Sequence, residues 1–257
     1  MIKKFKVTIP ELSGNVRRRA YVYIPNEAKR NPDKRYPVLY MFDGHNVFFD
    51  SDATYGKSWG MKTYMDYTKT PLIIAAVECN HQGNRRLCEY SPFSFSDKKM
   101  GDIEGCGKQT MEWIINCFKP YIDENYPTLT GRENTFIAGS SMGGLMSLYA
   151  VSRYNSVFSK AACLSPSIWF EGKSLDNLLL SSDIAEDTVV YMDYGENEMN
   201  YRRNMKSRFK RITNILIDKK VKLTARIVPD GYHCEASWEK QIPFFMNTLL
   251  YRSQDGN

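Results

Sequence analysis

The stretch that most restricts this chain is Gly139-Ser140-Ser141-Met142-Gly143-Gly144, which lies between the apolar run Thr135-Phe136-Ile137-Ala138 and the segment Leu145 to Ala150. The order is strand, sharp turn of small residues, helix. A serine at the apex of such a turn needs neighbours without side chains, which makes this a nucleophile elbow rather than a bare Gly-x-Ser-x-Gly match. Gly139 and Gly143 occupy the positions where a Cβ would collide, and Gly144 lets the following helix approach the strand. Ser141 is therefore the candidate nucleophile. Ser140 does not fit the frame, because Ala138 and Met142 would then have to be glycines.

A serine hydroxyl needs a base beside it and a third group that fixes the tautomer of that base. His233 is the one histidine after Ser141, and it follows the apolar run Leu223 to Val228 within Pro229-Asp230-Gly231-Tyr232-His233. That is the loop in which the base is required. The acid is to come after Val189-Val190-Tyr191-Met192, where Asp193, Glu196 and Glu198 all stand. Glu198 is favoured because a group three residues past Gly195 can fold back over the end of the sheet, and the other two stay open. Two amides must face the oxyanion of the tetrahedral intermediate. Met142, at the start of a helix, supplies one, and His45, in the loop after the strand Val38 to Phe42, supplies the other. The imidazole of His45 is expected to pack, and Cys234 to be an inert thiol.

Continuous apolar runs mark Pro37 to Phe42, Leu72 to Val77 and Ala161 to Leu164 as strands buried on both faces. Residues 3 to 9 and 20 to 24 alternate and suggest an antiparallel edge. Helices are expected over Tyr55 to Thr68, over Lys108 to Asp123 with a kink at Pro120, over Asn200 to Lys219, and from Glu235 to about Tyr251. Residues 79 to 106 look irregular and suit a pocket rim. Strands alternating with helices from residue 37 onward predict an α/β protein, one domain over residues 1 to 257, with a predominantly parallel central sheet covered on both faces.

The balance of 35 basic and 29 acidic residues gives a net charge of +6. Its densest parts, Arg17-Arg18-Arg19 and Arg202 to Arg211, carry no aromatic stacking motif and read as a solvated strand edge and helix face, not a nucleic-acid or membrane surface. The six cysteines form no Cys-x-x-Cys pair and show no zinc-ligand spacing, so no metal is expected, and scattered thiols suggest a reducing compartment. No segment reaches the roughly 18 apolar residues of a membrane span, and Thr8 and Pro10 interrupt any signal-peptide core. The expectation is a cytoplasmic protein. Leu145 after Gly144 excludes a phosphate-binding P-loop.

Further residues resemble one family in particular. They are Tyr40 to Phe48 (Tyr-Met-Phe-Asp-Gly-His-Asn-Val-Phe), Arg86 with Glu89-Tyr90-Ser91-Pro92, Lys119 to Asp123, Ala138 to Leu145, Leu164 to Trp169, and His233-Cys234-Glu235 with Trp238. Together they are similar to the esterase D-like Putative esterase family of α/β-hydrolases. That family includes S-formylglutathione hydrolases, feruloyl and acetylxylan esterases, siderophore esterases and the antigen 85 mycolyltransferases. The resemblance covers nearly the whole chain. It implies an α/β-hydrolase fold and a cofactor-free, metal-free acyl-enzyme mechanism on a small-molecule ester, with acetyl or hydroxycinnamoyl (carbohydrate-linked) or related small esters as substrates. It puts the nucleophile on Ser141, the base on His233, the oxyanion amides on His45 and Met142, and the acid on Glu198, where many members have aspartate. Trp169 and the loop from His81 to Pro92 would line the substrate pocket. Acyl transfer to a sugar hydroxyl by the same nucleophile, a non-catalytic binding protein of the same fold, and the presence or absence of a homo-oligomer stay open.

Overall fold

A computed structural model describes residues 1–97, 101–199 and 204–251. Eight strands form the central sheet: β1 (Ile2–Thr8), β2 (Arg17–Tyr23), β3 (Val38–Met41), β4 (Ile73–Val77), β5 (Thr135–Ser140), β6 (Lys160–Leu164), β7 (Val189–Gly195) and β8 (Lys222–Val228). Their spatial order is β1-β2-β4-β3-β5-β6-β7-β8. β2 pairs antiparallel with both β1 and β4. From β4 to β8 every pairing is parallel. This is the predominantly parallel α/β arrangement with an antiparallel edge that the sequence predicts.

The period of two along a strand explains why the middle runs are apolar throughout. Val38, Tyr40 and Phe42 enter one core while Leu39 and Met41 enter the other. The first core is closed by Gly107–Trp113, Met142–Arg153, Gly172–Ser181 and Met205–Asp218, through Met111, Leu145, Leu175 and Ile212. The second is closed by Met61–Thr68 and Ile242–Leu250, through Met61, Met65 and Phe245. Helix Gly172–Ser181 lies in a segment to which the sequence reading gave no element. Its apolar face is short, with Leu175 and Leu179 buried one turn apart.

Several boundaries differ from expectation for identifiable reasons. The helix expected from Tyr55 begins only at Met61, because Gly60 takes a left-handed φ of 68° that ends the preceding turn. Around Pro120 the chain is not simply kinked. A wide π turn, Ile114–Phe118, precedes Lys119–Asn125 and accommodates the proline's missing N–H. The closing helix is two pieces, Glu235–Glu239 and Ile242–Leu250, because Pro243 fits the first turn of a helix and not its interior. The start of the expected helix at 200–203, and with it Arg202, lies outside the described residues. Residues 79 to 106 hold a short helix, Arg85–Glu89, and a two-stranded ribbon of Phe95–Asp97 with Gly101–Ile103.

The basic run at the start of β2 is not a solvated edge. Arg18 is 4% exposed and binds Glu89 through both terminal nitrogens, at 2.6 and 2.5 Å. Arg19 grips Glu78 and also reaches Asp52. Both arginines therefore anchor the segment after β4 to the sheet. Removing one partner of a buried pair strands the other charge. Arg18→Met is accordingly expected to cost about 3–5 kcal/mol in urea unfolding, with most of it recovered in Arg18→Met/Glu89→Leu. A single variant within about 1 kcal/mol of the parent would show the pair to be no more than a surface bridge.

Candidate active site

The elbow is built as the sequence requires. Ser141 adopts φ 57° and ψ −121°, a conformation an L-residue holds only under constraint, and Met142–Arg153 starts immediately after it. The constraint is backbone pairing to the end of β6: Ser141 N–H donates to Leu164 O at 2.9 Å, and Ser167 N–H donates to Ser141 O at 3.0 Å. No side chain fits inside the turn, since a Cβ on Gly139 would stand 2.7 Å from the backbone of Gly143.

Glu198 and His233 meet beside it. Glu198 Oε2 lies 2.7 Å from His233 Nδ1, while Glu198 Oε1 accepts from Ser165 Oγ at 2.6 Å and from Gly195 N–H at 2.7 Å. Ser165 in turn accepts from Trp238 Nε1 at 3.0 Å, and the Trp238 ring packs edge-on against His233. Close approach of the two loops depends on Gly195 and Gly231. A Cβ on Gly195 would run into Gly231 O, and Asn197 N–H donates to that same oxygen. Ser165 and Trp238 thus complete the arrangement, a part that nothing in their sequence context signals. Glu196 is exposed, and Asp193 lies beneath, in contact with Tyr191 Oη (2.7 Å) and Ser165 N–H (3.1 Å).

Ser141, His233, His45, Ser140 and Trp238 line one cleft of ≈ 440 Å³ with Asp43, Asn46, Thr54, Tyr55, Cys79, Asn80, His81, Gly83, Arg86 and Glu235. It opens at the carboxyl ends of the parallel strands. A wider hollow of ≈ 660 Å³ lies at the opposite ends of β6, β7 and β8, around Lys160, Val189 and Lys222, and contains none of the candidate residues. The Ser141 hydroxyl faces Ser167 Oγ at 3.4 Å, and among the described residues it makes no hydrogen bond to His233. Contacts between a nucleophile and its base are often long until substrate is bound. Trp169 is not among the residues lining the cleft. It stacks on Phe170 and packs against the first core.

The loop bearing His45 is held as firmly as the elbow. Asp43 (φ 54°) receives a bidentate grip from Arg86 at 2.8 and 2.6 Å and places its N–H 3.2 Å from Tyr90 Oη. Burial would raise the Asp43 pKa, but Arg86 overrides it and keeps the carboxyl below its ordinary range. Gly44 lies flat on β4, where a Cβ would stand 2.9 Å from Val77 backbone. The His45 imidazole packs as expected, 3% exposed, and burial lowers its pKa to about 4, so the ring is neutral. Its Nε2 lies 3.0 Å from Thr54 Oγ1.

Burial chiefly, with the charge of Glu198 adding, pushes Asp193 up to about 7. The folded protein therefore keeps a proton that the unfolded chain releases near pH 4, and stability falls as pH rises from about 4 to about 7. Asp193→Asn removes this titration. Relative to the parent, the variant is expected to gain on the order of 2 kcal/mol between pH 5 and pH 8 in urea unfolding. An identical difference between variant and parent at both pH values would contradict the assignment.

Comparison with known proteins gives the family and the fold. The family model described as Putative esterase matches residues 13–249. The uncharacterized protein YbbA of Bacillus subtilis (strain 168) is 27% identical over 214 residues, covering 80% of each chain. Among solved structures, a ferulic acid esterase superposes with a TM-score of 0.70 at 18% identity, covering 97% of this chain and 96% of that one. An IroE-like serine hydrolase from Shewanella oneidensis gives 0.74 at 16% identity, with 97% and 78% covered. Siderophore hydrolase EstA from Aspergillus nidulans gives 0.70 at 17% identity, with 96% and 94% covered. Among the described residues no helix is long and apolar enough to cross a membrane.

Proposed function

Because the chain belongs to the Putative esterase family, we propose that it hydrolyses small carboxylic esters through an acyl-enzyme on Ser141. The observation that carries this reading is the convergence of a strained serine and a carboxylate-bound histidine on one cleft. With Glu198 accepting at Nδ1, His233 carries its proton there and leaves the Nε2 lone pair free to act as base. Ser141 Oγ attacks the ester carbonyl carbon, and His233 takes the hydroxyl proton. The amides of His45 and Met142 hold the oxyanion. As the tetrahedral intermediate collapses, the alcohol leaves with the proton from His233, and water then enters by the reverse route.

Glu198 suits its part because Ser165 Oγ and Gly195 N–H both donate to Oε1 and so hold the carboxyl group with Oε2 against His233 Nδ1. Developing imidazolium at His233 then faces a carboxyl group already fixed in place. A cleft of ≈ 440 Å³ with Asn46, Asn80, His81 and the exposed ring of Tyr55 on its walls accommodates an acetyl or hydroxycinnamoyl ester of a polar alcohol better than a long-chain lipid. A serine hydrolase and a ferulic acid esterase among the similar folds are consistent with that class.

Ser141→Ala is expected to lower kcat/KM for p-nitrophenyl acetate at least about a thousand-fold, and Glu198→Gln about a thousand- to ten-thousand-fold, with folding unchanged. Either variant within about tenfold of the parent would remove that residue from the mechanism. A panel of acetyl, feruloyl and siderophore-lactone substrates reads the acyl preference. Equal rates on short aliphatic esters alone would exclude the aryl class.

A further inference from the structure

One group in the cleft takes no part in this chemistry. His45, Cys79 and His81 each place a donor atom within 4.8 Å of the other two. The cluster is assembled from the loop after β3 and the residues directly after β4, which explains why no ligand spacing shows in the sequence. His45 is 3% exposed and its Nε2 is engaged by Thr54, yet its buried Nδ1 has no hydrogen-bond partner among the described residues. A buried imidazole nitrogen left unsatisfied costs free energy unless something fills the position.

We propose that His45 Nδ1, Cys79 Sγ and His81 Nδ1 form a binding site for a Zn²⁺-like transition-metal ion, and that an ion there blocks the cleft. Two imidazoles and one thiolate are a donor set for a borderline-soft cation and leave a fourth position for water. His45 Nε2 is engaged by Thr54 and His81 Nε2 by Glu78 Oε1 at 3.0 Å, so the nitrogen that each ring offers the ion in this proposal is its Nδ1, with Thr54 and Glu78 as the outer partners that ligating histidines have. Glu78 is itself fixed by Arg19.

Donors around a tetrahedral ion stand about 3.4 Å apart, so from separations within 4.8 Å the three need to draw in by no more than about 1.4 Å. His81, whose side chain is 48% exposed, has room to do so and gives the ion its entry. Burial, with the nearby Asp43 carboxylate adding, pushes the Cys79 thiol pKa up, so its proton leaves to solvent only as the sulfur–metal bond replaces the S–H bond. Asp43 and Glu78 lend negative charge that Arg86 and Arg19 offset, so affinity rests on the donor atoms themselves. Ser141 lines the same cleft, and the ion would draw on the ring next to the proposed oxyanion amide. The inhibitory half of the proposal rests on the esterase reading, whereas binding does not.

The test is titration of the chelator-stripped full chain with Zn²⁺ against a chromophoric chelator, with Co²⁺ as the spectroscopic probe. The parent is expected to bind one ion, with a thiolate-to-cobalt charge-transfer band. Cys79→Ser abolishes the band, and Cys79→Ser and His81→Gln each weaken Zn²⁺ binding at least about tenfold. Circular dichroism checks that Cys79→Ser folds, and the exposed His81→Gln keeps the test open if it does not. In the parent, p-nitrophenyl acetate hydrolysis falls in step with occupancy and returns with EDTA. Equal Zn²⁺ affinity in parent and both variants, or none in the parent, overturns the site. Full hydrolysis at full occupancy overturns the blocking role alone. A chain that binds the ion but never hydrolyses esters keeps the site and sinks the esterase reading.

Discussion

The left-handed backbone at Ser141 is the constraint on which the rest of the site depends. An unconstrained chain would relax it, so the surrounding structure has to exceed that cost. It does so through the parallel pairing of β5 with β6, which brings Leu164 and Ser167 onto the serine's own peptide groups, and through glycines that leave the turn free of side chains. The result is a hydroxyl held at the sheet's carboxyl edge and a helix N-terminus directly behind it. Every other candidate residue is positioned relative to that fixed point.

Charge is distributed around it in separate compartments. Two carboxyl groups at the end of β7 take different places because their surroundings differ. Glu198 reaches the histidine with hydrogen-bond donors at hand, whereas Asp193 stays beneath the sheet edge and retains its proton to about pH 7. The arginines act as struts. Arg18 and Arg19 tie the segment after β4 to β2, and Arg86 ties the loop after β3 to the Arg85–Glu89 helix. Both loops that flank the cleft are thereby fixed by ion pairs whose formation on folding positions the His45 amide.

Much of this was legible in the sequence because burial on both faces leaves an unmistakable mark. The apolar runs at 38–42, 72–77 and 161–164 became central strands, and the spacing of glycines around Ser141 reported the turn. His233 could be singled out because one loop was required to hold a histidine. What stayed hidden was whatever depends on three-dimensional approach. Asp193, Glu196 and Glu198 are nearly equivalent as letters, and the closeness of Gly195 to Gly231 is what brings one of them onto the ring. Arg18 reads as part of a solvated basic run, yet its partner, Glu89, is 71 residues away. The stacking of Trp169 on Phe170 likewise leaves no mark in the sequence. Pro243 divided a helix that apolar periodicity alone would have run through. The His45, Cys79 and His81 donors likewise meet only because β3 and β4 are adjacent in space.

The central claim is that the elbow makes Ser141, alone among the chain's serines, a nucleophile. Peptide mapping of the folded protein after reaction with a fluorophosphonate tests this most directly. One phosphonyl group per chain on the peptide bearing Ser141, and none after denaturation before treatment, is the predicted result. An unlabelled Ser141 in folded protein, or adducts spread over other serines, would contradict it.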